Sequence, residues 1–191
     1  ALGSTASYGV AFWIPSFYVR SFGMPLSQVT LLYAGVVLFG GIAGIWLGAW
    51  LGDRFGPRRP GTYLAIPMVA LAASIPFFAM AVMAGSPMLS LALLFVPSML
   101  GSMGFGTVLT AVQHVVPAAL RSTSSALFLF INNLIGLGLG SAVLGFISDA
   151  LARQHGEQSL RYALLAGSLF YAMAALLYFF ASRRAAKDWE V

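Results

Sequence analysis

Residues 40–59 read GGIAGIWLGAWLGDRFGPRR. Glycine recurs at Gly40, Gly44, Gly48 and Gly52, and the apolar run then stops at Asp53, Arg54 and two further arginines, Arg58 and Arg59. In water such a helix is a poor choice, because each interior glycine costs roughly 1 kcal/mol relative to alanine. In lipid the balance changes. Solvent no longer drives apolar faces together there, so helices associate by close van der Waals contact over small residues. At roughly 100° per residue, Gly40, Gly41, Gly44, Gly48 and Gly52 share one side, with Trp46 and Trp50 nearly opposite. One face suits another backbone, and the tryptophans suit the lipid boundary near an interface.

Composition agrees. Of 191 residues, 60% are hydrophobic and only 8% charged, against about 25% charged in soluble proteins. No Asp, Glu, Lys or Arg occurs between Arg20 and Asp53, or between Arg59 and Arg121. Several stretches exceed the roughly 20 apolar residues that cross a bilayer, so the fold class expected is an all-α integral membrane protein. The absence of cysteine excludes disulfides, thiolate metal sites and thiol nucleophiles, and no cofactor or metal site is read. The formal charge of +5 sits in short clusters between hydrophobic blocks, a pattern of membrane topology and not of nucleic-acid binding. The chain opens at ALGSTASYGV without an initiator Met or a basic flank. No signal peptide is expected, and the sequence reads as a piece that starts inside or just before a helix.

Six spans are expected, at about 3–19, 27–51, 61–83, 88–112, 122–147 and 160–181. They make one bundle over residues 1–182, followed by a cytoplasmic tail, 183–191. SFGMPLS supplies the first turn, AGSP (Ala84–Pro87) divides the long charge-free block, and SDALARQHGEQS reads as a polar loop. Alternate connections hold Arg54, Arg58, Arg59, Arg121, Arg183, Arg184 and Lys187, against Arg20, Arg153 and Arg161 on the other side. The richer side is expected to be cytoplasmic, with both chain ends there.

Polar residues inside a membrane are costly and usually face the bundle or a watery path. The first helix aligns Thr5, Tyr8, Phe12 and Ser16, with Trp13 beside them; the fourth aligns Ser102, Gly106, Thr110 and Gln113. In the fifth, Ser125, Asn132, Asn133, Gly136 and Gly140 share a face. The cavity candidates are therefore Tyr8, Phe12, Trp13, Ser16, Ser102, Thr110, Gln113, Asn132 and Asn133. Ordinary packing, back-bonding of Ser and Thr to their own helix, and a hydrogen bond from either asparagine to a neighbouring helix remain open for them. Gly40, Gly44, Gly48, Gly136 and Gly140 are helix-packing candidates. The third and sixth helices show far fewer polar groups, a split that resembles a half of the major facilitator superfamily, which implies that these two helices are peripheral. No carboxylate, Lys or Arg lies deep in any span.

The sequence from Ala49 through Asp53, Arg54, Gly56, Arg58 and Arg59 resembles the signature loop of the major facilitator superfamily, which joins the second and third helices of each six-helix half. Ala49 stands where glycine is usual, and Pro57 where a basic residue is usual. The resemblance implies a conformational gate, in which Asp53 and Arg54 help hold the cytoplasmic side closed; an ordinary positive-inside cluster is the plainer alternative. The stretch VVPAALRSTSSALFLFINNLIGLGLGSAVLGFISDAL resembles the eleventh helix of spinster-type transporters, through Pro117, Arg121, Asn132 or Asn133, Gly136, Gly138, Gly140 and the Gly145–Asp149 end. Together the two imply helices seven to twelve, the carboxyl-terminal half. The implied partners are an N-terminal six-helix half, membrane lipids and an amphipathic small-molecule substrate such as a lysolipid.

The leading expectation is a secondary transporter of a bacterial inner membrane, working by alternating access. If it is proton-coupled, the titratable groups belong to the other half. A drug or metabolite antiporter of the same superfamily is the alternative, and a self-associating channel or scaffold is a further one. An enzyme is not expected, because His155 lies in a loop and His114 at a helix end, with no serine placed to face either.

Overall fold

The computed structural model describes residues 1–59 and 61–188, without the side chains of Arg58, Glu157 and residues 185–188. Arg58 and Lys187 of the basic set thus lie, as side chains, outside the described residues. Six long helices follow one another: α1 (Leu2–Phe22), α2 (Leu26–Phe55), α3 (Thr62–Met83), α4 (Pro87–His114), α5 (Arg121–His155) and α6 (Ser159–Asp188).

Local chemistry explains the turns. Gly23 adopts a left-handed φ of 64° and its N–H donates to the Val19 carbonyl, closing α1. Ala84 is extended after α3, and Ser86 caps α4 by accepting from the Leu89 N–H, with Pro87 at the first helical position. Gly156, at φ 54°, ends α5.

α5 runs well past the expected end of its span, through the stretch read as a polar loop. Polarity there marks where the chain leaves the apolar layer, not where the helix stops. No Gly or Pro interrupts residues 146–155, so nothing breaks the helix before Gly156. α6 likewise continues to Asp188, into the stretch read as a tail.

Among the described residues five helices, α2 to α6, are long and apolar enough to cross a membrane. α1 falls short because it carries Ser4, Thr5, Ser7, Tyr8, Ser16 and Arg20 within its 21 residues. It lies against α5 and α6, and several of its polar groups find partners there.

Packing follows a pseudo-two-fold pattern in which α1, α2 and α3 correspond to α4, α5 and α6. α2 packs on α4 as α5 packs on α1, α3 lies on α4 as α6 lies on α1, and α3 meets α6. Glycines make the two equivalent crossings. A methyl group at Gly44 would come 2.9 Å from the Met99 carbonyl carbon, and one at Gly48 would come 2.8 Å from the Met103 Cα. Gly40, Gly44, Gly48 and Gly52 are all buried, while Trp46 and Trp50 are 68% and 48% exposed, on the opposite face. On α5, Gly136 packs on Ser4 and Tyr8, and Gly140 on Thr5 and Gly9 of α1.

The main apolar core joins Ile14, Phe17, Tyr18, Val29, Phe78, Leu91, Leu144, Leu160 and Leu164. These residues gather at the bundle end that carries Gly23, Ala84 and Gly156, opposite Asp53. There the Tyr18 hydroxyl donates to Ser90 Oγ (2.6 Å), which donates to the Ala81 carbonyl (2.7 Å), tying α1, α3 and α4 together.

Candidate functional site

Between the α1–α5 pair and the α2–α4 pair, side chains leave a cavity of about 340 Å³. Val10, Phe78 and Leu94 of the apolar core form one boundary. Ser4, Ser7 and Tyr8 reach it from α1, Tyr33 from α2, Ser98, Ser102 and Phe105 from α4, Asn132 from α5 and Tyr171 from α6. A smaller cavity of about 100 Å³ adjoins it, sharing Ser4, Ser7, Gly101, Phe105 and Asn132. Among the described residues, no Asp, Glu, Lys, Arg or His lines either one. The wall is amphipathic, with hydroxyls and one amide set among aromatic and aliphatic side chains.

Three of the nine cavity candidates line this space: Tyr8, Ser102 and Asn132. Ser4 Oγ donates to Asn132 Oδ1 at 2.8 Å, so that amide is held across the α1–α5 crossing, and its nitrogen makes no hydrogen bond among the described residues. Asn133 does not line the cavity. Its Oδ1 accepts from the Tyr8 hydroxyl (2.9 Å) and its Nδ2 donates to the Leu129 carbonyl (2.8 Å). Trp13 is also structural, donating from Nε1 to the Ser141 carbonyl (2.9 Å) beside Gly145.

Phe12 is 63% exposed and lies outside the cavity, and Ser16 is half-buried and also outside it. Thr110 bonds back to the Gly106 carbonyl at 3.0 Å, which satisfies its hydroxyl within α4. Gln113 donates to Ser125 Oγ (3.1 Å), and its backbone carbonyl accepts from Arg121 Nε (3.0 Å). That residue joins the end of α4 to the start of α5. The expected periphery of α3 and α6 also needs correction, since Phe78 and Tyr171 reach the cavity. Tyr171 is buried with its hydroxyl 3.4 Å from Ser7 Oγ.

Ser4, Ser7, Tyr33, Ser98, Phe105 and Tyr171 are cavity residues that sequence reasoning passed over. For Ser4 a signal existed, because it stands one turn before Tyr8 on the same face. Tyr33 was a lone phenol in an apolar helix. Tyr171 had no such mark.

Asp53 and Arg54 project from the last turn of α2, both exposed, and neither makes a hydrogen bond or ion pair among the described residues. Gly56 to Arg58 form a short 3-10 turn, and the Arg59 N–H donates back to the Phe55 and Gly56 carbonyls. Gly56 and Arg59 thus belong to a tight, internally bonded connection.

Six helices thus form a pseudo-two-fold bundle around an open, amphipathic cavity. The family description Major Facilitator Superfamily matches residues 1–141, and the chain belongs to that superfamily. An MFS-type efflux pump of Mycolicibacterium smegmatis is 30% identical over 97% of the chain and 43% of its own length. Spinster homolog 3 of Danio rerio is 25% identical, over 98% of the chain and 43% of its own length. Among solved structures, a bacterial homolog of the human lysosomal transporter spinster, inward-facing and unoccupied, superposes with a TM-score of 0.88. It is 24% identical, and the match covers the whole chain and 47% of that structure. Within the superfamily the likeness is thus to spinster proteins as well as to the efflux pump. The chain spans less than half the length of these relatives, and it is an integral, multi-pass membrane protein.

Proposed function

We propose that the chain is the second six-helix half of a secondary active transporter that moves an amphipathic, lipid-like or organic molecule by alternating access. The observation that carries this reading is the cavity of about 340 Å³, whose described lining sets hydroxyls and an amide among apolar side chains with no Asp, Glu, Lys, Arg or His. Its size falls within the range of roughly 300–1,000 Å³ usual for small-molecule sites. The aromatic and aliphatic side chains suit an acyl chain, the Asn132 amide nitrogen suits an ester or hydroxyl oxygen, and the Ser4 and Ser102 oxygens, whose hydrogens go to Asn132 Oδ1 and the Ser98 carbonyl, can accept from a hydroxyl. A charged head group finds no counter-charge there, so it belongs toward an N-terminal half. Groups that couple transport to protons belong to that half as well.

Asp53 supports the two-half reading. A carboxylate in the last turn of a helix faces the negative end of the helix dipole and gains from a cationic or N–H partner. A second bundle supplies one when the cytoplasmic side closes, and opening breaks the contact. We place this end, and both ends of the chain, at the cytoplasmic face of a bacterial inner membrane.

A second reading, a drug or metabolite antiporter, is favoured by the 30% identity to the mycobacterial efflux pump. Flux through the complete protein in proteoliposomes separates the two. Lysophospholipid movement that rises with an imposed pH gradient is the expected result. Movement of cationic drugs without lysophospholipid favours the antiporter, and movement of neither contradicts both.

A further inference from the structure

We propose that Tyr63 is a positioning residue for the Asp53–Arg54 pair: its ring, set against Gly52, Gly56 and His114, ties the α2–α3 connection to the end of α4. The inference rests on the gate reading of that pair given above.

The argument begins with Gly56. Its backbone is right-handed helical, at φ −60° and ψ −47°, a conformation open to any residue. Conformation therefore does not explain the glycine. Space does: a methyl group there would lie 2.5 Å from both Cε2 and the hydroxyl oxygen of Tyr63. One turn earlier, a methyl on Gly52 would come 3.5 Å from Tyr63 Cε1 and 3.2 Å from Thr107 Cγ2 of α4. The Tyr63 ring thus lies across two glycines that bracket Asp53 and Arg54. The ring also faces that of His114, stacked at 6.5 Å between ring centres with an 18° tilt.

His114 is the last residue of α4, and the middle of α4 carries Ser98, Gly101, Ser102 and Phe105 of the cavity wall. A shift or tilt of α4 on filling the cavity moves His114, and the stacked ring passes that movement to the turn holding Asp53 and Arg54. The Gly52 and His114 contacts that carry this link are made by the ring. The prediction is therefore that phenylalanine preserves the function and alanine abolishes it.

The test uses the complete transporter in a background free of other reactive cysteines, which these 191 residues already satisfy. A Gly101→Cys reporter suits the cavity wall, because nothing lies within 4 Å of a Cβ built there. Labelling by a membrane-impermeant maleimide is followed in inside-out vesicles. Asp53→Asn is the reference and should raise the labelling rate about 5-fold, the lower end of usual coupling between sites. Tyr63→Ala should match that rise, Tyr63→Phe should label as the unmodified transporter does, and Gly56→Ala/Tyr63→Ala should not exceed Tyr63→Ala. Tyr63→Leu, which keeps bulk without a flat ring, serves where the alanine variant does not fold and should also match the reference. A rise with Asp53→Asn but none with Tyr63→Ala or Tyr63→Leu overturns the role of Tyr63, as does a rise with Tyr63→Phe. No rise with Asp53→Asn removes the gate reading itself, and this inference with it.

Discussion

Gly44 and Gly138 both sit inside apolar helices, yet a methyl group meets opposite surroundings at the two. At Gly44 it would press on the Met99 carbonyl and Ser102 Cβ of α4, whereas at Gly138 nothing lies within 4 Å. Gly44→Ala should therefore lower the thermal midpoint in detergent, by an overpacking cost of about 1–3 kcal/mol. Gly138→Ala should be neutral, or stabilising by up to about 1 kcal/mol; equal effects from the two would contradict the assigned contact. The buried Tyr18–Ser90–Ala81 chain gives a second residue-scale prediction. Tyr18→Phe removes the donor to Ser90 and should cost about 1 kcal/mol, in line with hydrogen bonds between membrane helices. Tyr18→Phe and Ser90→Ala share one bond, so the double variant should lose less than the sum of the two. Strict additivity in thermal unfolding would show that the bond contributes nothing.

At the scale of elements, the sequence revealed where helices cross lipid better than where they end. The fourfold glycine spacing with Trp46 and Trp50 opposite was legible because close packing and lipid exposure impose different residues on the two faces of α2. The extension of α5 was not, because Ser148, Asp149, Arg153 and His155 are polar without being helix breakers, and only Gly156 stops the chain. Ser148 is buried with its Oγ 3.3 Å from Ser159 Oγ, so this part of α5 is packed against α6. Hydrogen exchange of the complete protein should show amides 149–154 protected as helix. Exchange there at the rate of an open loop would contradict the extended helix.

Across the whole molecule, the pseudo-two-fold arrangement explains which cavity residues were readable. Polar residues on a recognisable helical face, such as Tyr8, Ser102 and Asn132, were found because alignment is a one-dimensional signal. Tyr33 and Tyr171 enter the cavity only through the way α2 and α6 pack, which no single segment encodes. Asn133 and Trp13 went the other way, because partners on α1 and α5 take up their polar atoms. The central claim is that this cavity receives the apolar part of an amphipath, and the Gly101→Cys reporter tests it most directly. In the complete transporter, lysophosphatidylcholine should slow maleimide labelling at Cys-substituted position 101, whereas its head group alone, glycerophosphocholine, should leave the rate unchanged. Equal labelling with and without the lysolipid, or protection by the head group alone, would contradict the account.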